Sequence, residues 1–379
     1  MNYRHYTAFF TLAFIMAFPA FSQSKLSFQA LENNNEVYYY KGKPFTGISV
    51  ENFPNNKKMQ EITWVDGKLN GLKTEYFSDG RIRAKITMAD NHKNGPFVYY
   101  FTTGKEKQTG MYHDDLLNDT VKDWDFKGKL VSIIHYTDEV KTGKAIYYHD
   151  NGKIAQIIFY KDGIPDGNMK SFYAAGNIRN EGTYKMGMRE GLFRSYHQTG
   201  GVADESFYKD GIIDSVSTFW DNVAGDRLKQ EYYKLGVKEG EWVTFGLKGD
   251  TQNVVTYSNG ILNGPYKKYV PVNFNKAQPF DMEHPNGDFH MLLDEYGFYK
   301  DGKIDGKFAT GLIEREKHVE GQFDDGIKTG IWYYYNKENK VVLEVSYDET
   351  GKVMKVKSRR KFLFIPYYHS ETEFDEPEE

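Results

Sequence analysis

Hydrophobic and polar side chains alternate in short runs along most of the chain, and Gly, Asp and Asn break the runs at regular intervals. Lys144-Ala145-Ile146-Tyr147-Tyr148-His149 and Ile154-Ala155-Gln156-Ile157-Ile158-Phe159-Tyr160 are typical. Such β-branched and aromatic stretches suit a pleated, half-covered surface. Between them Asp150-Asn151-Gly152-Lys153 reads as a hairpin turn, because Asn-Gly tolerates the positive φ that tight turns demand. Lys161-Asp162-Gly163-Ile164-Pro165-Asp166-Gly167 then turns the chain into another such pair. Hairpin punctuation recurs at Asp79-Gly80, Thr103-Gly104, Lys127-Gly128 and Thr199-Gly200. Beyond residue 22 no segment sustains a 3.6-residue apolar period, so the pattern predicts an all-β chain with little helix.

The alternation is one unit written about a dozen times. With Gly67 as position 0, equivalent sites are Asn91, Asp115, Glu139, Gly163, Gly187, Gly211, Gly236, Gly260, Gly302 and Gly326, mostly 24 residues apart. Gly42 marks a slightly longer opening copy. From Gly67 onward, position 0 is Gly in eight of eleven copies and the residue before it is Asp in eight. Position +4 is Gly in nine: Gly71, Gly95, Gly143, Gly167, Gly191, Gly240, Gly264, Gly306 and Gly330. Position −3 is aromatic in ten, including Tyr160, Tyr184 and Tyr208, and position +9 in ten, including Tyr148 and Tyr196. Consecutive copies should pair edge to edge, each advancing the sheet by roughly 9–10 Å. The expected fold is an elongated single-layer antiparallel sheet of about twelve consecutive 24-residue β-hairpins. Neighbours stabilise one another, with the −3 and +9 rings laddered along one face. Copies lacking a Gly, at positions 91, 115 and 139 or with Asp119 and Ser215 at +4, should bend or flatten locally.

Tyr160-Lys161-Asp162-Gly163 with Gly167, Tyr208-Lys209-Asp210-Gly211, Tyr299-Lys300-Asp301-Gly302 with Gly306, and Phe323-Asp324-Asp325-Gly326 with Gly330 carry a Tyr-x-x-Gly-x-x-x-Gly signature. The unit resembles the MORN repeat family, more closely its bacterial variant form. That resemblance implies a β-hairpin sheet used for protein or membrane association. Some bacterial members carry an antitoxin label.

Two segments leave the pattern. Residues 271–288, with Pro271, Pro279 and Pro285, read as a loop inserted into the array spanning 37–357. Residues 358–379 read as an apolar cap, Phe362 to Tyr368, followed by an acidic tail. At the other end, residues 1–22 have the plan of a secretory signal peptide, and 23–36 form a lead-in. Arg4 and His5 precede the apolar run Thr7–Phe18, and Ala20-Phe21-Ser22 offers a cleavage site before Gln23. The run is too short to span a bilayer, so no transmembrane segment is expected in the mature chain. The expected location is periplasmic or extracellular.

Composition sharpens the picture. Aromatic residues make 16% of the chain, unlike a disordered sequence. The formal net charge of −4 favours no nucleic-acid partner, and the absence of Cys excludes disulfides and thiolate chemistry. Gly297-Phe298-Tyr299-Lys300-Asp301-Gly302-Lys303-Ile304 has P-loop spacing, but Ile304 stands where Ser or Thr must hold magnesium. Asp123-Trp124-Asp125 with Gly128 is a calcium-loop fragment without the closing Glu. His113, His135 and His149 sit near strand ends, and Asp114-Asp115 and Asp324-Asp325 on turns. No catalytic constellation, cofactor or metal site emerges.

The sequence therefore reads as an exported, non-catalytic, monomeric scaffold for protein or envelope-surface interaction. A rival is a glycan-binding module that uses exposed rings, with Trp332, Tyr333 and Tyr334 as candidate platform and envelope polysaccharide as ligand. A hydrolase would need Asp281 or Glu283 in the inserted loop. An antitoxin-like neutraliser fits the family label but sits awkwardly with a secretory signal.

Overall fold

The computed structural model describes residues 25–273, 289–312 and 318–358. The expected signal peptide, residues 274–288 of the insertion with Asp281 and Glu283, and the expected C-terminal cap beyond 358 lie outside the described residues. The chain forms two compact units. The first runs to Ile154 and takes back Tyr160–Gly163; the second holds Ala155–Phe159 and continues from Ile164.

Each unit is built of antiparallel strands paired in chain order. In the first, Gly47–Asn52, Lys58–Val65, Lys68–Tyr76, Ile82–Ala89 and His92–Tyr100 follow one another. Glu106–His113, Leu116–Trp124, Leu130–Thr137 and Val140–Tyr148 continue the order. The second pairs Ile164–Phe172, Ile178–Lys185, Met188–Tyr196, Val202–Lys209 and Ile212–Trp220 in the same way, and its last described strand is Val353–Ser358. Among the described residues the only helical segments are two short 3-10 turns, and no helix is long and apolar enough to cross a membrane.

Two departures from the expected layout occur. Residues 37–44, read as part of the opening copy, join Glu32–Asn34 in a separate three-stranded sheet, while Lys25–Ser27 pairs parallel to Gly47–Asn52. Phe28, Leu31, Tyr38 and Tyr40 thereby pack against the buried cluster of Phe45, Ile62 and Trp64. The first hairpin of the array, which has no copy before it, gains a cover. At the insertion, Gly264–Asn273 and Phe289–Lys300 pair out to Asn273 opposite Phe289, so residues 271–273 are strand rather than loop.

The junction between copies is a two-residue turn with both φ values positive, as at Asp162 (50°) and Gly163 (82°). Copies without Gly keep it: Asn91, Asp115 and Glu139 hold φ of 74°, 69° and 65°. At +4, Asp119 and Ser215 are likewise left-handed at 62° and 72°. The expectation of local bending is therefore replaced by an unchanged turn carrying strain of order 1–2 kcal/mol per residue. Polar side chains offset it. Asn91 Oδ1 accepts the Leu69 N–H at 2.8 Å, and Asp115 Oδ1 accepts the Lys93 N–H at 2.8 Å.

Packing on the principal face follows a rule that the aromatic pattern alone does not show. A two-residue turn sets −3 opposite +2, so −3, −5, +2, +4 and +6 share one face. Position +6 is buried in copy after copy: Phe97, Val121, Ala145, Met169, Phe193, Ser217 and Trp332. Their size is balanced at −5. A Cβ on Gly182 would lie 2.4 Å from the Phe193 ring, and one on Gly321 2.2 Å from the Trp332 ring. Where +6 is Ala145, −5 is Ile134, directly opposite it.

Candidate interaction surface

The sheet presents two faces and two edges. On the principal face the −3 rings pack against the +6 rings. Phe193 lies 5.5 Å from Tyr184 and 5.4 Å from Tyr208, both edge-on, and the Arg189 guanidinium sits 5.1 Å above Phe193 and Tyr208. Position +2 alternates between apolar and basic along successive copies: Leu69, Lys93, Leu117, Lys141, Pro165, Arg189, Ile213, Lys238, Leu262. Lys93, Lys141 and Lys238 each lie over a −3 ring, as Arg189 does. Cation–π contacts thus close this face every second copy. Tyr160 belongs to the same row, and burial pushes its hydroxyl up from the usual phenol range.

The +9 rings do not join that row; they stand on the opposite face, because +9 has the parity of +5 and +7. Tyr196 donates to Glu181 Oε1 at 2.6 Å. Tyr335 donates to Glu320 Oε2 at 3.0 Å and stacks on His318 with 4.4 Å between centroids. Tyr148, at the same position, is half-buried. This face is polar at its centre: Lys170 bridges Glu181 at 3.0 Å, and Arg194 Nε donates to Glu205 Oε2 at 2.9 Å. The single ladder of −3 and +9 rings is therefore corrected to two ladders, one per face.

Burial also corrects the proposed platform. Trp332 is 1% exposed, enclosed by Phe308, Phe323 and Tyr347 with Gly321 beneath it, and so cannot meet a ligand. Tyr334 shares the buried parity; burial, then its bond with Tyr347, pushes its hydroxyl up to about 12. Only Tyr333 lies on the outward face, beside Glu320 and Glu344 across the sheet.

The repeat-defining glycines shape the turn edge. Gly67, Gly163, Gly187, Gly260, Gly302 and Gly326 all have φ near +80°. The +4 glycines 71, 167, 191, 264, 306 and 330 are also left-handed. The N–H at position 0 donates to the +2 carbonyl of the preceding copy, as Gly187 does to Pro165 at 2.8 Å and Gly211 to Arg189 at 2.9 Å. A second stitch, missed in the sequence, comes from +3. Asp166 accepts the Met186 N–H, Glu190 the Asp210 N–H at 2.9 Å, and Asp214 the Leu235 N–H at 2.9 Å. The signal was present as Asn, Asp, Glu or Thr at +3 in the copies around Gly163.

Beside these stitches, the +1 side chains stand exposed. Leu116 and Val140 do so in the first unit, and Ile164, Met188, Ile212, Val237, Ile261 and Ile327 in the second. At −2 next to them, Lys185 faces Met188 and Lys209 faces Ile212. The paired acids belong to this edge: Asp115 also holds His92 Nδ1 at 2.6 Å, and Asp114 accepts from Asn94 at 3.1 Å. Among the described residues, no three His, Asp or Glu side chains converge as metal ligands would.

Comparison with known proteins places a family model, the MORN repeat variant, on residues 141–162, 165–186 and 189–220, three consecutive stretches in the register of the turns above. No curated protein matches the chain. Two solved structures show low similarity: a crystal structure of TcdB2-TccC3 (9% identity, TM-score 0.17) and one of TcdB2-TccC3-Cdc42 (10%, 0.16). Each match covers 81% of this chain and 18% of the other, so the chain spans under a fifth of either.

Proposed function

We propose, for a chain that carries MORN-variant repeats and is built as a repeat scaffold, an exported, non-catalytic, monomeric protein that holds a protein partner along its turn edge. The observation that carries this reading is the exposed +1 row. Leaving an apolar side chain 40–51% exposed at six of the seven +1 sites of the second unit, Lys303 being the exception, forgoes burial that a free-standing sheet would use. An extended partner could engage one side chain per copy, with the −2 lysines setting its charge preference. Non-catalytic work agrees with the Asp114-Asp115 pair being committed to turn hydrogen bonds. Export rests on the plan of residues 1–22 and predicts that the mature chain begins at Gln23, which N-terminal sequencing of envelope and medium fractions would read.

The test places a photo-crosslinking residue at Met188, Ile212 or Val237 in the native envelope, with Lys144 on another part of the fold as control. A discrete protein adduct from the edge sites alone supports the reading. Equal or no adducts from edge and control would end it. In the rival glycan platform Trp332 is buried and Tyr334 shares its core parity, and Trp332→Ala would act by unfolding rather than by removing a contact.

A further inference from the structure

A cleft of about 490 Å³ opens on the polar face of the second unit, between Tyr196 and Trp220 with Val202 between them. It exists because the repeat is broken there twice. In three of the preceding copies position +14 carries a side chain that reaches the next hairpin: Lys105 to the Lys127 carbonyl, Lys129 to the Asp150 carbonyl, Asn177 to the Gln198 carbonyl. Here that position is Gly201, around which a Cβ would find open space, so the stitch is missing. The neighbouring hairpin is also one residue longer, and Asp221 folds it back by accepting from Val223 and Ala224. Departures from a repeat's own rule are where function is expected to sit.

We propose that this cleft is a saccharide-binding subsite that takes pyranose units of a glycan chain. Tyr196 and Trp220 occupy equivalent +9 positions two strands apart, about 10 Å along the ladder, close to the span of a disaccharide. Their ring faces suit the C–H-rich faces of sugars. Hydroxyl groups both donate and accept, and the cleft offers both functions. Arg194 spends only Nε on Glu205, leaving its remaining N–H groups without partners among the described residues. Among the described residues Glu205 uses only Oε2, and the Trp220 contact with His197 Nε2, at 3.1 Å, is made by its backbone carbonyl and not by its indole N–H. Charges cancel within the Arg194–Glu205 pair, which disfavours an anionic ligand, and those same two charged groups in the lining disfavour a lipid tail. Tyr196 is fixed from behind by Glu181, itself held by Lys170, so its ring is pre-organised. The partner edge proposed above lies at the other end of these strands, and this inference does not depend on it.

The test titrates the full mature chain with cellotetraose, chitotetraose and maltotetraose and follows the five indole N–H signals by NMR, with Trp220 assigned through Trp220→Phe. The proposal expects the Trp220 signal to move with at least one oligosaccharide. Gly201→Lys, which restores the usual stitch and removes no ring, should weaken that binding at least tenfold; Tyr148→Ala, at the same repeat position elsewhere, should leave it unchanged. Because Gly201 has no left-handed φ and no crowding neighbour, its substitution keeps the fold. A Trp220 signal that none of the three sugars moves at millimolar concentration overturns the proposal. So does one that moves equally in Gly201→Lys, or only with tetraglycine.

Discussion

Glycine at −5 and an aromatic ring at +6 form one object split between two strands. Gly321 has an ordinary backbone, so its absence of side chain serves the Trp332 ring directly above it rather than a turn. Gly321→Ala should destabilise by about 1–3 kcal/mol through overpacking. Combining it with Trp332→Leu should recover part of that loss, giving a non-additive cycle in urea denaturation; strictly additive losses would show that the two residues do not share space. At the turn edge His92 is linked to Asp115. The hydrogen bond and charge of Asp115 raise the imidazole above its ordinary value, and the Lys93 N–H with His92 lowers the Asp115 carboxyl. Stability from the raised imidazole is complete below about pH 6.5 and disappears as pH rises through the folded value; that from Asp115 is present above about pH 4 and disappears on acidification. An NMR titration should place His92 above the ordinary imidazole value, and Asp115→Asn should bring it back down.

The hairpin copy is the element in which sequence and structure can be weighed against each other. Positions 0, +4 and −3 were legible because each demands one chemical type: a left-handed residue, a second left-handed residue, an aromatic ring. Position +6 was not legible, because its identity is free so long as −5 compensates in volume. Ser217 at +6 faces Ser206 at −5 and the two hydroxyls bond at 2.9 Å, whereas Phe193 faces Gly182. A space shared between facing positions leaves no single-letter signature. The face of +9 could have been obtained by counting parity through the two-residue turn, which puts −3 and +9 on opposite sides. Candidate binding rings were misjudged for the same reason: Trp332 and Tyr334 have core parity, and Tyr196 and Trp220 do not. Copies are joined by backbone and +3 stitches, so Glu190→Ala, which frees the Asp210 N–H, should cost about 0.5–1.5 kcal/mol. Thermal denaturation would register it; a cost near zero would mean that solvent replaces the carboxylate without loss.

Within each unit the contacts between described strands run mainly between strands adjacent in the chain. Stability should then be a sum of local terms plus neighbour terms, and damage should stay where it is made. Trp64 is the sharpest place to ask. It is 1% exposed, its Nε1 donates to Ser49 Oγ at 2.8 Å, and Phe28 and Tyr38 of the N-terminal cover lean on its ring. Trp64→Ala removes the ring from that cover and leaves Ser49 without its buried donor, at a cost of about 3–5 kcal/mol in a packed site. In a globular domain a loss of that size lowers hydrogen-exchange protection everywhere at once. Here amides of Lys58–Val65 and Lys68–Tyr76 should lose protection strongly, those of Ile82–Ala89 partly, and those of Met188–Tyr196 not measurably. Uniform loss in all four strands would mean that the copies unfold as a single cooperative body and that the nearest-neighbour description fails.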